Sequence, residues 1–201
     1  MTTRMRRRAA GTAVKIVVTG PFAAGKTTLI RTISEITVLS TEKDITDSTR
    51  SRKADTTVAM DFGRITIDRD LVLYLFGTPG QDRFDFMWEI LGEGMLGYVV
   101  LVDASRPESL EETVSILAAF RKMARVPYVV ALNRADGIDE GEEARIRAAL
   151  DLDPDVPVVP CDAMDRESVK SVLLALLYSV VDSLDAAAAV QGVHDRVQQG
   201  Q

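Results

Sequence analysis

Val14-Lys15-Ile16-Val17-Val18-Thr19-Gly20-Pro21-Phe22-Ala23-Ala24-Gly25-Lys26-Thr27-Thr28 decides how the remaining residues of this 201-residue chain are read. Five largely apolar, β-branched residues predict a buried strand, and Lys26 to about Ser34 predicts a helix. Between them Gly20 to Thr27 satisfies the pattern G-x-x-x-x-G-K-[ST], whose meaning depends on that strand–loop–helix setting. Glycines at each end let the backbone curl, so that the N–H groups of Phe22, Ala23, Ala24 and Gly25 and the helix N-terminus can face phosphate oxygens. Lys26 offers a positive charge to terminal phosphates, and the Thr27 hydroxyl, with Thr28 beside it, suits magnesium and phosphate oxygens. The loop therefore implies a nucleotide cradle.

Working outward, the chain alternates apolar strands with amphipathic helices. Ile36 to Asp55 is polar, without sustained period, and reads as a long loop of the functional kind. Thr57 to Ile67 and Leu71 to Phe76 form a predicted hairpin about Asp68-Arg69-Asp70. Gly77-Thr78-Pro79-Gly80 breaks the chain before an irregular, partly helical segment running to about Gly94. Gly97 to Val102 is a strand ending at Asp103, Pro107 to Arg125 a helix with proline in its first turn, and Tyr128 to Leu132 a strand ending at Asn133. A helix over Glu140 to Leu150, a strand over Val156 to Val159 and a long helix marked by Val169, Val172, Leu173, Leu176 and Val180 complete it. From about Ala187 the alanine- and glutamine-rich sequence suggests fraying.

This alternation predicts an α/β fold: a three-layer P-loop nucleotide-binding domain, with a mostly parallel six-stranded sheet and one antiparallel edge strand. One domain over residues 14–185 is expected, with a basic tail over 1–13 and a flexible tail over 186–201. In such sheets the ligand lies beyond the strand C-termini, and Gly20, Gly77, Asp103, Asn133 and Cys161 all start at such ends.

Composition narrows the partners. Hydrophobic residues make up 46% of the chain, charged residues 27%, and the net charge is -6, which argues against nucleic acid as a charge-driven partner. Arg4, Arg6, Arg7 and Arg8 form the one basic concentration, read as a solvated tail or as a contact for anionic lipid or an acidic partner. No signal peptide follows them, and the apolar run Val172 to Val181 is shorter than the roughly 20 residues of a membrane span. A cytoplasmic protein is expected, without direct membrane insertion. The single cysteine, Cys161, excludes an intrachain disulfide.

Asn133-Arg134-Ala135-Asp136 supplies the base reader. An Asp136 carboxylate can accept from the N1–H and exocyclic amine of guanine, which adenine does not offer, while Asn133 braces the loop and the Arg134 stem lies over the base plane. Cys161-Asp162-Ala163 follows the last strand, where a backbone N–H can meet the guanine carbonyl.

The order and spacing of these motifs resemble Ras-like small GTPases from about Val14 to Asp185. Thr57 to Gly63 and Leu73 to Phe84 are similar to the bacterial branch containing the MglA polarity switches, and most similar to the GTP-binding proteins of actinobacterial conservon operons. The resemblance implies that Thr57 is the switch I threonine reaching magnesium and the γ-phosphate. It makes Gly80 the switch II glycine sensing that phosphate and Gln81 the residue orienting the attacking water. The aspartate usual in D-x-x-G is Gly77 here, and Asp61 resembles the aspartate that the bacterial branch carries on the neighbouring strand; its other reading is a solvated strand charge. Phe22 replaces a glycine that most relatives keep near the γ-phosphate and would obstruct an arginine finger from a partner. Slow GTP hydrolysis is expected, with Gln81, Lys26 and Thr57 as catalytic residues and Arg50 or Arg52 as candidate charge stabilisers in cis.

The expected function is a GTP/GDP switch with Mg2+. A nucleotide-holding interaction module and a small-molecule P-loop kinase are the alternatives. The resemblance further implies a roadblock-fold regulator and a sensor-kinase-like membrane protein as partners, the latter allowing recruitment to a membrane. Met87, Trp88 and Ile90 are read either as a partner surface or as core.

Overall fold

The computed structural model describes residues 12–40, 60–80, 85–135 and 137–199. In chain order the elements are β1 (Thr12–Thr19), α1 (Lys26–Ile33), β2 (Leu39–Ser40), β3 (Asp61–Asp68), β4 (Leu71–Gly77), α2 (Asp85–Gly92), β5 (Gly97–Asp103), α3 (Pro107–Met123), β6 (Tyr128–Asn133), α4 (Glu140–Ala149), β7 (Val158–Cys161) and α5 (Arg166–Gln199). They build one sheet in the order β2-β3-β4-β1-β5-β6-β7. Strands β4, β1, β5, β6 and β7 run parallel. Strand β3 is antiparallel to β4, and the two-residue β2 is antiparallel to β3. This is the α/β fold of P-loop nucleotide-binding domains, and β2 adds a short strand to the six expected.

Period-two alternation divides the core between the two faces. Ile16 and Val18 point to one side, where Leu29, Ile30 and Ile33 of α1 and Val172 and Leu176 of α5 cover them. Val17 points to the other, with Tyr98, Val100, Ile116, Phe120 and Ile146. The three layers follow directly. From β1 the chain passes through α1 to β2 and β3 on one side, and later crosses from β4 through α2 to β5 on the other, so the crevice beyond the C-terminal end of β1 is the topological switch point where such sheets bind ligands.

Three expectations change. Trp88 belongs to the core: it is 5% exposed, packs 5.9 Å from Phe120 and donates its indole N–H to the Pro79 carbonyl at 3.3 Å. Ile90 on the same helix is exposed. Helix α5 continues to Gln199, past Ala187 where the sequence suggested fraying, because alanine, valine and glutamine all tolerate helix. Its 34 residues span about 51 Å at 1.5 Å per residue. Within α5, Arg166–Ala189 is long and apolar enough to cross a membrane by length and composition, with mean hydropathy 1.7. The apolar run Val172 to Val181 understated that length. Even so, Val169, Val172, Leu173, Leu176 and Val180 are core residues of the domain.

Candidate nucleotide site

The phosphate loop leaves β1 at Gly20, whose φ of 142° lies outside the range of ordinary side chains. A Cβ there would stand 2.1 Å from the Leu101 carbonyl oxygen. Gly25 opens α1 at φ 105°, where a Cβ would lie 2.6 Å from Asn133 Nδ2. Both glycines of the motif are therefore required by backbone geometry as well as by ligand access. Immediately after Gly25, Lys26 is 8% exposed and donates to the carbonyls of Gly20 and Pro21, each at 2.7 Å. Its ammonium is thus held at the mouth of the loop.

Beside it, the Thr27 hydroxyl donates to Asp61 Oδ2 at 2.5 Å. Asp61 is 9% exposed, so the reading of a solvated strand charge does not describe it. The reason lies across the sheet. Asp61 pairs with Gly77 in the β3–β4 register, and a Cβ on Gly77 would meet the Asp61 Cβ at 3.1 Å and Oδ2 at 3.2 Å. The missing side chain at 77 makes the space that the Asp61 carboxylate fills. Thr27 Oγ1 and Asp61 Oδ2 are hard oxygen donors at the edge of the cradle, the kind magnesium takes in small number while keeping waters and phosphate oxygens. Among the described residues no group of three or more His, Cys, Asp or Glu suits a metal.

After β4 the chain is rooted by Thr78, whose N–H reaches the Val18 carbonyl at 2.9 Å and whose hydroxyl reaches that of Thr19 at 3.0 Å. This root carries Gly80 onto the phosphate loop. A Cβ at 80 would lie 2.6 Å from the Phe22 nitrogen and 2.7 Å from Lys26 Nζ. Phe22 itself turns outward and is 57% exposed.

Asn133 ends β6 and is 3% exposed. Its amide donates to the Ala24 carbonyl at 2.8 Å and accepts from the Ala163 N–H at 3.0 Å, tying phosphate loop, base loop and the turn after β7 together. Arg134, at φ 63°, donates its backbone N–H to the Cys161 carbonyl at 3.1 Å. Its guanidinium pairs with Asp103, whose side chain is fully buried and also accepts from the Ser105 backbone and hydroxyl. Cys161 is buried, and burial pushes its thiol up to about 11. Asp162 takes part in local turns, its N–H on Ser168 Oγ and its carboxylate on the Met164 N–H, both at 2.8 Å.

These elements enclose a cleft of about 250 Å³ lined by the phosphate loop, Asp61, Thr78, Pro79 and Arg134. A larger cavity of about 710 Å³ lies at the opposite strand ends, near Pro127, Pro154 and Asp182, away from every motif above. Thr57, Gln81, Asp136, Arg50 and Arg52 lie outside the described residues. Sequence reasoning missed the Asp103–Arg134 pair, whose signal was only that both residues end neighbouring strands. It also missed Arg106, considered below.

Residues 38–183 match the family described as conserved hypothetical ATP binding protein. The chain belongs to that family. That match begins after the phosphate loop, so the cradle is read from its own residues. An uncharacterized protein of Methanocaldococcus jannaschii is 34% identical over 125 residues, covering 61% of the chain and 71% of the relative. ADP-ribosylation factor-like protein 3 of Saccharomyces cerevisiae is 25% identical over 167 residues, 79% of the chain and 81% of that protein. Family and cradle together make this a P-loop nucleotide-binding protein.

Proposed function

We propose that the protein is a guanine-nucleotide switch that binds GTP and GDP with Mg2+ and hydrolyses GTP slowly. The observation that carries the reading is the Asn133 brace. It couples the loop that would read a base to the Ala24 carbonyl of the phosphate loop, at the start of an N-R-x-D sequence whose aspartate suits guanine. The match to an ADP-ribosylation factor-like protein over most of both chains supports the small-GTPase side of it. The family description favours a second reading, ATP as the bound nucleotide. Equilibrium binding of GTP, GDP and ATP to nucleotide-stripped protein separates the two. Guanine preference of roughly 10⁴, as a polar site left unpaired by the wrong base can give, is expected, together with its collapse in Asp136→Ala. Preference for ATP, or an unaltered Asp136→Ala variant, would overturn the guanine assignment.

In this reading Thr27 and Asp61 hold the magnesium ion, Thr27 directly and Asp61 through the outer shell, with Thr57 joining in the triphosphate state. Bound there, the ion would neutralise charge on the phosphates. Losing an outer-shell partner typically costs 10- to 100-fold in metal affinity. Asp61→Ala is accordingly expected to shift the magnesium titration of nucleotide binding upward by about that factor. A titration that superimposes on the parent's would remove Asp61 from the metal site. The roadblock-fold regulator and sensor-kinase-like partner implied by the family resemblance belong to the same proposal, as receivers of the switch.

A further inference from the structure

Ala23 stands in the left-handed region, at φ 61°, in the middle of the phosphate loop. An alanine has no side-chain group with which to stabilise that conformation locally, as asparagine or aspartate can, and it lacks the freedom of glycine. Such a residue persists only where its surroundings over-determine it. The surroundings here are specific. On one side the Ala24 N–H reaches the Pro21 carbonyl at 3.3 Å, and the Ala24 carbonyl is held by Asn133 at 2.8 Å. On the other side, the Phe22 carbonyl accepts from Arg106 Nη1 at 2.9 Å.

Arg106 is well placed to hold something still. It is the N-cap residue of α3, in extended conformation immediately before Pro107, at the base of a 17-residue helix. Its second guanidinium nitrogen meets Glu112 Oε1 at 3.3 Å, six residues further along the chain. An ion pair this exposed contributes little stability by itself, but it leaves the planar fork oriented, with the other nitrogen directed at the loop.

The consequence comes from peptide geometry. In a trans peptide the C=O and the following N–H point in opposite directions. Drawing the Phe22 carbonyl outward to Arg106 turns the Ala23 N–H inward, and Ala23 lines the cleft. We infer that Arg106 is a positioning residue for the phosphate site: by fixing the Phe22–Ala23 peptide plane it aims a backbone donor at the phosphates, and it holds Ala23 in a conformation that residue would otherwise leave. Resting as it does on the nucleotide-binding reading, the inference needs one readout with nucleotide and one without.

Three variants are compared with the parent chain: Arg106→Ala, Arg106→Lys and the double variant Arg106→Ala/Ala23→Gly. Dissociation constants for Mg2+–GTP and Mg2+–GDP give the first readout. Arg106→Ala is expected to weaken both by about 10-fold, the worth of one hydrogen bond to a positioned group. Arg106→Lys should keep part of that affinity. The double variant should recover at least half of the loss on a logarithmic scale, because glycine occupies the left-handed region without steric cost. The second readout is the ¹H–¹⁵N resonance of the Ala23 amide in nucleotide-free protein, expected to move in Arg106→Ala while resonances of α5 stay in place. Parent-like affinity in Arg106→Ala, a loss that Ala23→Gly leaves untouched, or an unmoved Ala23 resonance would each overturn the inference. Failure of the parent chain to bind any nucleotide would instead sink the functional reading, and the Ala23 resonance would still decide whether Arg106 holds the loop.

Discussion

Replacing Gly80 by alanine is expected, if this glycine senses the terminal phosphate as the proposed switch requires, to uncouple the protein from that phosphate while leaving it folded. The added Cβ would fall 2.6 Å from the Phe22 nitrogen and 2.7 Å from the Pro21 carbonyl carbon, both main-chain atoms of the phosphate loop. A side-chain collision can be relieved by a rotamer change, but this one requires the backbone to part. The segment is pinned at its root by the Thr78 bonds to Val18 and Thr19, and on its far side Trp88 holds the Pro79 carbonyl. Displacement is therefore confined to Gly80 and its immediate neighbours, and the core beneath them has no reason to change. What is lost is the close approach of the Gly80 backbone to Lys26 and the loop, the approach a γ-phosphate sensor needs. A hydrogen bond to a charged group contributes about 1.5–3 kcal/mol, or roughly 10- to 100-fold in affinity. GTP affinity is expected to fall by that factor in Gly80→Ala, GDP affinity far less, and the thermal midpoint only slightly. Dissociation constants for the two nucleotides, measured beside a melting curve, check this. Equal losses for GTP and GDP would mean that Gly80 shapes the loop without sensing the terminal phosphate.

The contrast between Gly80 and Arg106 shows which parts of the site can be read from sequence. Gly20, Gly25, Lys26 and Thr27 are legible because each acts within eight contiguous residues, where the strand–loop–helix setting fixes who faces the ligand. Burial of Asp61 was half legible: its type and the absence of a side chain at Gly77 were visible. That the two share one space became visible only with the register that sets them opposite each other. Arg106 was illegible, since its bond to Phe22 spans 84 residues and depends on how the start of α3 docks beside the phosphate loop. The Arg134–Asp103 pair was hidden for the same reason, 31 residues apart and joined only because β5 and β6 end side by side. For the fold, strand and helix types followed from period and composition. Element ends did not: β7 runs Val158–Cys161, shifted two residues along from the apolar run Val156 to Val159, because its ends are set by the register with β6, from Val130 opposite Val158 to Asn133 opposite Cys161. Trp88 was ambiguous because an apolar residue in a short, irregular segment carries no face assignment until α3 packs against it.

Asn133→Ala should be the most damaging single change in the site, for stability and for binding together. The truncation removes both bonds of a side chain that is 3% exposed, leaving the Ala24 carbonyl and the Ala163 N–H without the partners they have now. Each orphaned buried group costs about 1–3 kcal/mol, so a loss of about 2–6 kcal/mol is expected against a total stability of roughly 5–15 kcal/mol for a domain of this kind. Measurement must be made without nucleotide, because a bound ligand adds its own stabilisation and would mask the difference. Two further variants separate the halves of the brace. Asn133→Asp retains an acceptor for the Ala163 N–H but turns a carboxylate oxygen toward the Ala24 carbonyl, so it should break the link to the phosphate loop while keeping the link to the turn after β7. Asn133→Gln keeps both groups on a stem one carbon longer, which displaces the amide from the Ala24 carbonyl and the Ala163 N–H that it now meets at 2.8 and 3.0 Å. If the brace acts as described, nucleotide affinity ranks parent above Asn133→Asp, whereas Asn133→Ala loses affinity and urea stability in parallel. An unfolding free energy from urea titration of Asn133→Ala within about 1 kcal/mol of the parent's would show that water replaces both bonds.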